Sequence, residues 1–316
     1  MKILGNLYIA IREEDYVQSA NTLFHFMKKE DYLKSILFNK AIIPRYCVEN
    51  INYLGIKNET TRFEKVAVLQ KCFCDIPFHK LMETFSLRGE GEAYEALSED
   101  DKIKASTNST HPIFYGEYAI AFSKKWGENH NLQPIHYLNE NSSHTKDFTK
   151  VFEMVLGEQD INDEYVDDII NRLSFIKPLR GLMDRPFVTK EKKSTTISFW
   201  KNFHDEKEWR YVPTEEILQE AGIGRVIANP NILQLENALR DINKNLEEER
   251  YRSLWLEYEF DDIRYIIVPD AQARINIINC ILSIPKERFR NSDQVELEKQ
   301  VLVSKILVLE EIRKDW

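Results

Sequence analysis

The segment Phe203-His-Asp-Glu-Lys-Glu-Trp-Arg-Tyr-Val-Pro213 concentrates residues able to do chemistry. Glu206 and Glu208 stand two residues apart beside Trp209, Arg210 and Tyr211, in a stretch that reads as the start of a strand. Residues i and i+2 of a strand share a face. Both carboxylates therefore fall on one side, with Trp209 and Tyr211 on the other. Carboxylates held side by side repel, so one pKa tends to rise, which suits a general base. The plainer alternative is an exposed edge strand whose charges are solvated. Trp209, and Trp126 at the end of an earlier strand, are expected to be scaffold rather than ligand-stacking residues.

Four other positions carry weaker signals. His25 sits among apolar residues in Leu23-Phe-His-Phe26, where a satisfied core histidine is the plain reading. Tyr115 and Tyr118 flank Gly116, and a glycine lets a ligand approach the backbone closely. Cys72-Phe-Cys74 with His79 has chelating spacing, but a structural zinc site wants four ligands and no second clustered pair appears. Buried free thiols and no metal are the expectation. The acidic run Asp160–Asp168 lacks the sixth-position glycine of a calcium loop and has Asn171 where the twelfth-position glutamate belongs, so it reads as an acidic helix start. Phosphate-loop, dinucleotide-fingerprint, zincin and nucleophile-elbow motifs are absent from the sequence.

These residues need a scaffold, and composition allows one. The chain has 316 residues, 43% of them hydrophobic, enough for a full core. A net charge of −9 disfavours broad adhesion to nucleic acid or anionic membrane. Four cysteines do not make a disulfide framework, and no apolar run approaches the roughly 18 residues of a membrane span, so a reducing, cytoplasmic setting is expected. A strand followed by a polar linker is read at 1–20, and strand patterns at 21–27, 115–122, 133–138, 194–200, 208–212, 255–260 and 263–268. Helical spacing is read at 29–39, 144–180, 231–249 and 271–282, with a final helix or strand plus helix over 297–312. Alternating rather than solid apolar strands favour a mixed or antiparallel sheet. The fold class is α+β: a single domain over 1–316, with a motif-bearing core at 21–215, a helical insertion near 144–180, and strands and helices at 216–316 completing the fold.

Leu23-Phe-His-Phe-Met-Lys-Lys, Tyr32-Leu-Lys-Ser-Ile-Leu, Ile43-Pro-Arg-Tyr-Cys-Val-Glu49, Cys72-Phe-Cys-Asp-Ile-Pro77, Tyr115–Gly127, Pro134-Ile-His-Tyr137 and Glu206–Pro213 together resemble the AbiGi family of bacterial abortive phage-infection proteins. That resemblance implies a defence role and a protein partner, a toxin or a phage component. A second, smaller resemblance is to ADP-ribosyltransferases, which carry a His or Arg on an early strand, an aromatic or Ser-containing middle strand and a Glu opening a later one. His25, either Tyr115 or Tyr118, and Glu208 fall in that order, and Glu206-Lys-Glu208 resembles a paired-glutamate motif. It implies an ADP-ribosyltransferase-like fold and NAD as substrate. Glu208 would stabilise the ribose cation, Glu206 would face the acceptor, and His25 and a tyrosine would hold NAD. Nucleic acid would enter only as an acceptor. Catalysis and binding of a partner without catalysis both stay open at this point, as does a minor reading as a metal-dependent nuclease using the two glutamates.

Overall fold

The computed structural model describes residues 19–57, 62–106, 109–157, 163–235, 237–291 and 293–315. The strand expected within 1–20 lies outside them up to residue 18, as do residues 160–162 of the acidic run.

A mixed sheet organises the described residues. Seven strands run in the order Ile306–Val308, Ile263–Val268, Tyr118–Ser123, Thr22–Met27, Lys65–Cys74, Glu208–Tyr211, Leu132–Pro134. Arg45–Asn50 and Val226–Ile227 also pair with Lys65–Cys74. Neighbours are antiparallel except Ile263–Val268 and Ile306–Val308, which are parallel. The α+β expectation agrees with this mixture of sheet and helices.

Lys65–Cys74 is the sheet's central member, and its sequence shows why. Val66 to Gln70 are buried without interruption, as a strand covered on both faces requires. Val66 and Val68 pack with Leu138, Phe152 and Leu173 on one face. Ala67 and Leu69 pack with Leu218, Leu246 and Trp255 on the other. Phe73 continues that second face into the largest core cluster, with Leu23, Phe122, Trp126 and Trp209. The helix Glu30–Asn39 adds Leu33, Ile36 and Leu37 there, and Ala271–Ser283 adds Ile277 and Ile281.

A separate three-stranded sheet is built from Arg88–Glu90, Ser194–Asn202 and Arg180–Val188. Ile197 and Phe199 face inward onto Leu87 and Phe114. The stretch read as one helical region divides here. Helices occupy Ser143–Gly157 and Asp163–Asn171, after which the chain turns extended at Ile176–Pro178. The polar helix expected over 231–249 is likewise two pieces, Pro230–Gln234 and Ala238–Asn245.

Candidate functional site

Glu206 ends a short 3-10 turn, Phe203–Glu206, and Glu208 opens the strand Glu208–Tyr211. Between them Lys207 adopts a left-handed conformation, φ 44°. The two glutamates therefore come together through a turn, not through strand alternation. Alternation does govern the strand itself. Trp209 and Tyr211 enter the main core cluster, while Glu208 and Arg210 face the other side.

That other side is buried: Glu206 is 5% exposed, Glu208 4% and Arg210 0%. The strand lies between Lys65–Cys74 and Leu132–Pro134, so its charges are not those of a solvated edge. Lys177, from Ile176–Pro178, donates to Glu206 Oε2 at 3.0 Å and Glu208 Oε2 at 2.8 Å. Arg210 Nε donates to Glu208 Oε1 at 2.6 Å, and its Nη2 to Glu49 Oε1 at 2.7 Å. Lys201 Nζ lies 2.9 Å from Glu206 Oε1 and also donates to the Tyr115 hydroxyl, which donates to Glu206. Three cations and three carboxylates thus alternate along one row: Lys201, Glu206, Lys177, Glu208, Arg210, Glu49.

The electrostatics reverse the expectation of a raised carboxylate. Burial alone would push Glu208 up, but Arg210 and Lys177 outweigh it and hold the carboxyl well below the usual range. For Glu206, burial is likewise outweighed by Lys177 and then Lys201, leaving it lowered. Burial depresses Lys177, yet Glu206 and Glu208 raise it well above an ordinary lysine. Lys201 is lowered, chiefly by burial and in spite of Glu206. Two glutamates held ionised by buried Lys201 and Arg210 and half-buried Lys177 are poor proton acceptors.

The sequence-derived site divides. Tyr115, on the short helix His111–Tyr115, joins Glu206. Tyr118 does not: its hydroxyl donates to Glu30 at 3.4 Å. His25 does not either. It shares a face with Leu23 and Met27, packs against Phe73 at 5.5 Å, and donates from Nδ1 to the Cys72 carbonyl at 2.9 Å. Glu208 pairs in register with Cys74, one residue on from Phe73 and so on the opposite face of the sheet. The common pocket of His25, a tyrosine and Glu208 is therefore not formed. Burial and Lys71 bring His25 down to about 3, so it stays neutral.

Gly116 is closely approached, though not by a ligand. At φ 133°, a Cβ there would sit 2.2 Å from the Met27 carbonyl. Cys74 meets His111 Nε2 at 3.1 Å, and burial raises its thiol well above an ordinary cysteine.

Lys177, Lys201 and Glu49 were not anticipated as members of this cluster. Lys201 does carry a signal. It continues the inward row Ile197, Phe199, and a lysine at an inward strand position needs a partner. Beside Glu206 opens a cleft of about 810 Å³, floored by Lys201, Glu206 and His111 and bordered by Trp200, Arg180 and Lys207.

The family model described as "Putative abortive phage resistance protein AbiGi, antitoxin" matches residues 100–269. A Lactococcus lactis subsp. cremoris protein named "Abortive phage resistance protein AbiGi" is 33% identical over 282 residues, covering 87% of this chain and 100% of that protein. This chain belongs to the AbiGi family. No solved structure matches it. Within the AbiGi-matched residues lie Tyr115, Lys177, Lys201, Glu206, Glu208 and Arg210, while Glu49 and His25 precede them. Among the described residues no helix is long and apolar enough to cross a membrane.

Proposed function

We propose that this AbiGi-family chain acts in abortive-infection defence as an antitoxin, neutralising a toxin protein by contact rather than turning over a substrate with its paired glutamates. One observation carries the choice between binding and catalysis. Glu206 and Glu208, the groups best placed by sequence for chemistry, are each ion-paired to two enclosed cations and held ionised. Their task is to lock the strand Glu208–Tyr211 against Ile176–Pro178 and Ser194–Asn202. The family description, which names an antitoxin, supports the same reading. NAD-dependent transfer lacks a comparable support, because His25 and Glu208 stand on opposite faces of the sheet. A toxin acting inside the cell would place this chain in the cytoplasm with it.

The test is co-expression with the product of the neighbouring gene. The antitoxin reading expects growth arrest by that product alone, relief when this chain is present, and a complex of the two on size-exclusion chromatography. A folded Glu206→Gln variant should relieve the arrest as the parent does. Arrest caused by this chain alone, accompanied by NAD consumption and abolished by Glu206→Gln, would overturn the reading in favour of the transferase.

A further inference from the structure

The cleft of about 810 Å³ beside Glu206 has a composition that partner binding does not use up. Its floor is polar and buried: Lys201, Glu206 and His111 are 8%, 5% and 7% exposed. Trp200 stands at its wall with 43% of its surface exposed. Trp200 lies on the outward face of the Ser194–Asn202 strand, where Ser194, Thr196, Ser198 and Asn202 follow the polar rule. It is flanked in register by Leu182 on one strand and Arg88 on the other. With Leu182 beside it, the indole leaves an apolar and aromatic surface open at the mouth of the cleft.

The cations at the rim are exposed and open to a ligand. Lys80 of the same cleft is paired, with Glu83 at 3.7 Å. Arg180 and Lys207 find no carboxylate among the described residues. Arg180 and Trp200 also line a second cavity of about 360 Å³, so they form the ridge between two hollows.

We propose that this cleft binds a free nucleotide, with the base stacked on Trp200 and the phosphates held by Arg180 and Lys207. An aromatic face accepts any base. A guanidinium meets phosphate oxygens in bidentate fashion, and Lys207 adds a point charge. Glu206 repels phosphate, as do Asp75, Glu83 and Asp205, which also line the cleft, so the phosphates lie where Arg180 and Lys207 stand. The sugar faces the floor, where Glu206 keeps lone pairs to accept from a hydroxyl. The volume lies within the roughly 300–1,000 Å³ of ordinary ligand sites. The net charge of −9 opposes a long polyanion and favours a free nucleotide over a nucleic-acid strand. The proposal does not depend on the antitoxin reading.

The purified full chain should be titrated by calorimetry and thermal shift with ATP, GTP, AMP, inorganic phosphate and short single-stranded DNA and RNA. Expected is binding of at least one nucleoside phosphate below about millimolar Kd, with a raised Tm, and weaker binding of inorganic phosphate. Trp200→Ala, and separately Arg180→Ala with Lys207→Ala, should each weaken it about tenfold or more, the scale of one base–aromatic stack. Arg180 and Lys207 are exposed, so the unliganded Tm of their double variant should not move, and circular dichroism should show Trp200→Ala, whose indole is 43% exposed, still folded at the titration temperature. No binding of any nucleotide at millimolar concentration, unchanged binding by Trp200→Ala, or binding of the oligonucleotides with none of the free nucleotides would each overturn the proposal.

Discussion

Lys177 holds two carboxylates with one ammonium, and burial makes that arrangement costly to disturb. With Lys177 present, the row from Lys201 to Glu49 is neutral: three positive groups against three negative. Lys177→Met would leave Glu206 and Glu208 facing each other across an apolar gap. Removing one partner of a buried pair typically costs about 3–5 kcal/mol, so urea unfolding should show a loss of that order. A loss under about 1 kcal/mol, the level of an exposed pair, would mean the row is solvated. The pH dependence has a definite sign. His25 and His111 lie at about 3 in the folded protein, both through burial first, against 6.5 when free. Between these values the unfolded chain binds protons that the folded chain refuses, so stability falls as pH drops below about 6.5. Glu206 and Glu208 are also lowered, from 4.5. Their contribution is fully present above about 4.5 and is lost as pH falls through their folded values. Unfolding free energy should therefore decline before any carboxylate titrates. The double variant His25→Gln, His111→Gln should flatten the decline between about 6.5 and 4.5, and below about 4.5 should leave only the share that comes from the carboxylates.

The short helix His111–Tyr115 reaches its strand partner through Gly116, and the crossing is tight. A methyl group at Gly116 would collide with the backbone of Met27 and Lys28, not with a movable side chain, and φ 133° strains any larger residue. Gly116→Ala should cost more than the roughly 1 kcal/mol of an average point substitution and displace Tyr115 from Glu206. Loss of soluble expression, or a clearly lowered Tm, is the measurement. Elements with strong local patterns were legible in sequence. Thr22–Met27 alternates, and Glu30–Asn39 repeats apolar residues at helical spacing. The Arg180–Val188 strand was not, because its residues alternate only between half-buried and exposed and include Pro186. Glu206 and Glu208 could be picked out by type and proximity. Their neutralisation could not, since Lys177 and Glu49 arrive from 29 and more residues away and lysines carry no apolar period. The face assignment of Trp209 followed from period-2 alternation alone, which is why it survives where the pairing of His25 with Glu208 does not.

At the scale of the molecule, the two ends of the described chain share one sheet. Ile263–Val268 pairs with Tyr118–Ser123 and brings Ile306–Val308 beside it, while Thr22–Met27 lies on the other side of Tyr118–Ser123. The main core cluster likewise mixes Leu23, Leu33 and Phe122 with Ile277, Ile281 and Leu302. A fragment over 1–215 would keep the paired glutamates and Lys177, but would expose Tyr118–Ser123 as a sheet edge and strip one face of Leu33 and Phe122. Exposed apolar edges template aggregation. Trp209→Ala probes the same unit from inside. Truncating a buried tryptophan costs about 3–5 kcal/mol, a large part of a typical margin of roughly 5–15 kcal/mol. If one core spans the chain, calorimetry of the full protein should give one transition with equal calorimetric and van't Hoff enthalpies. Trp209→Ala should shift that whole transition down, and the 1–215 fragment should be insoluble or unfolded by circular dichroism. Two transitions, with only one of them moved by Trp209→Ala, would instead divide the chain into units that fold separately, and the residues after 215 would then be an appended domain rather than the completion of the sheet.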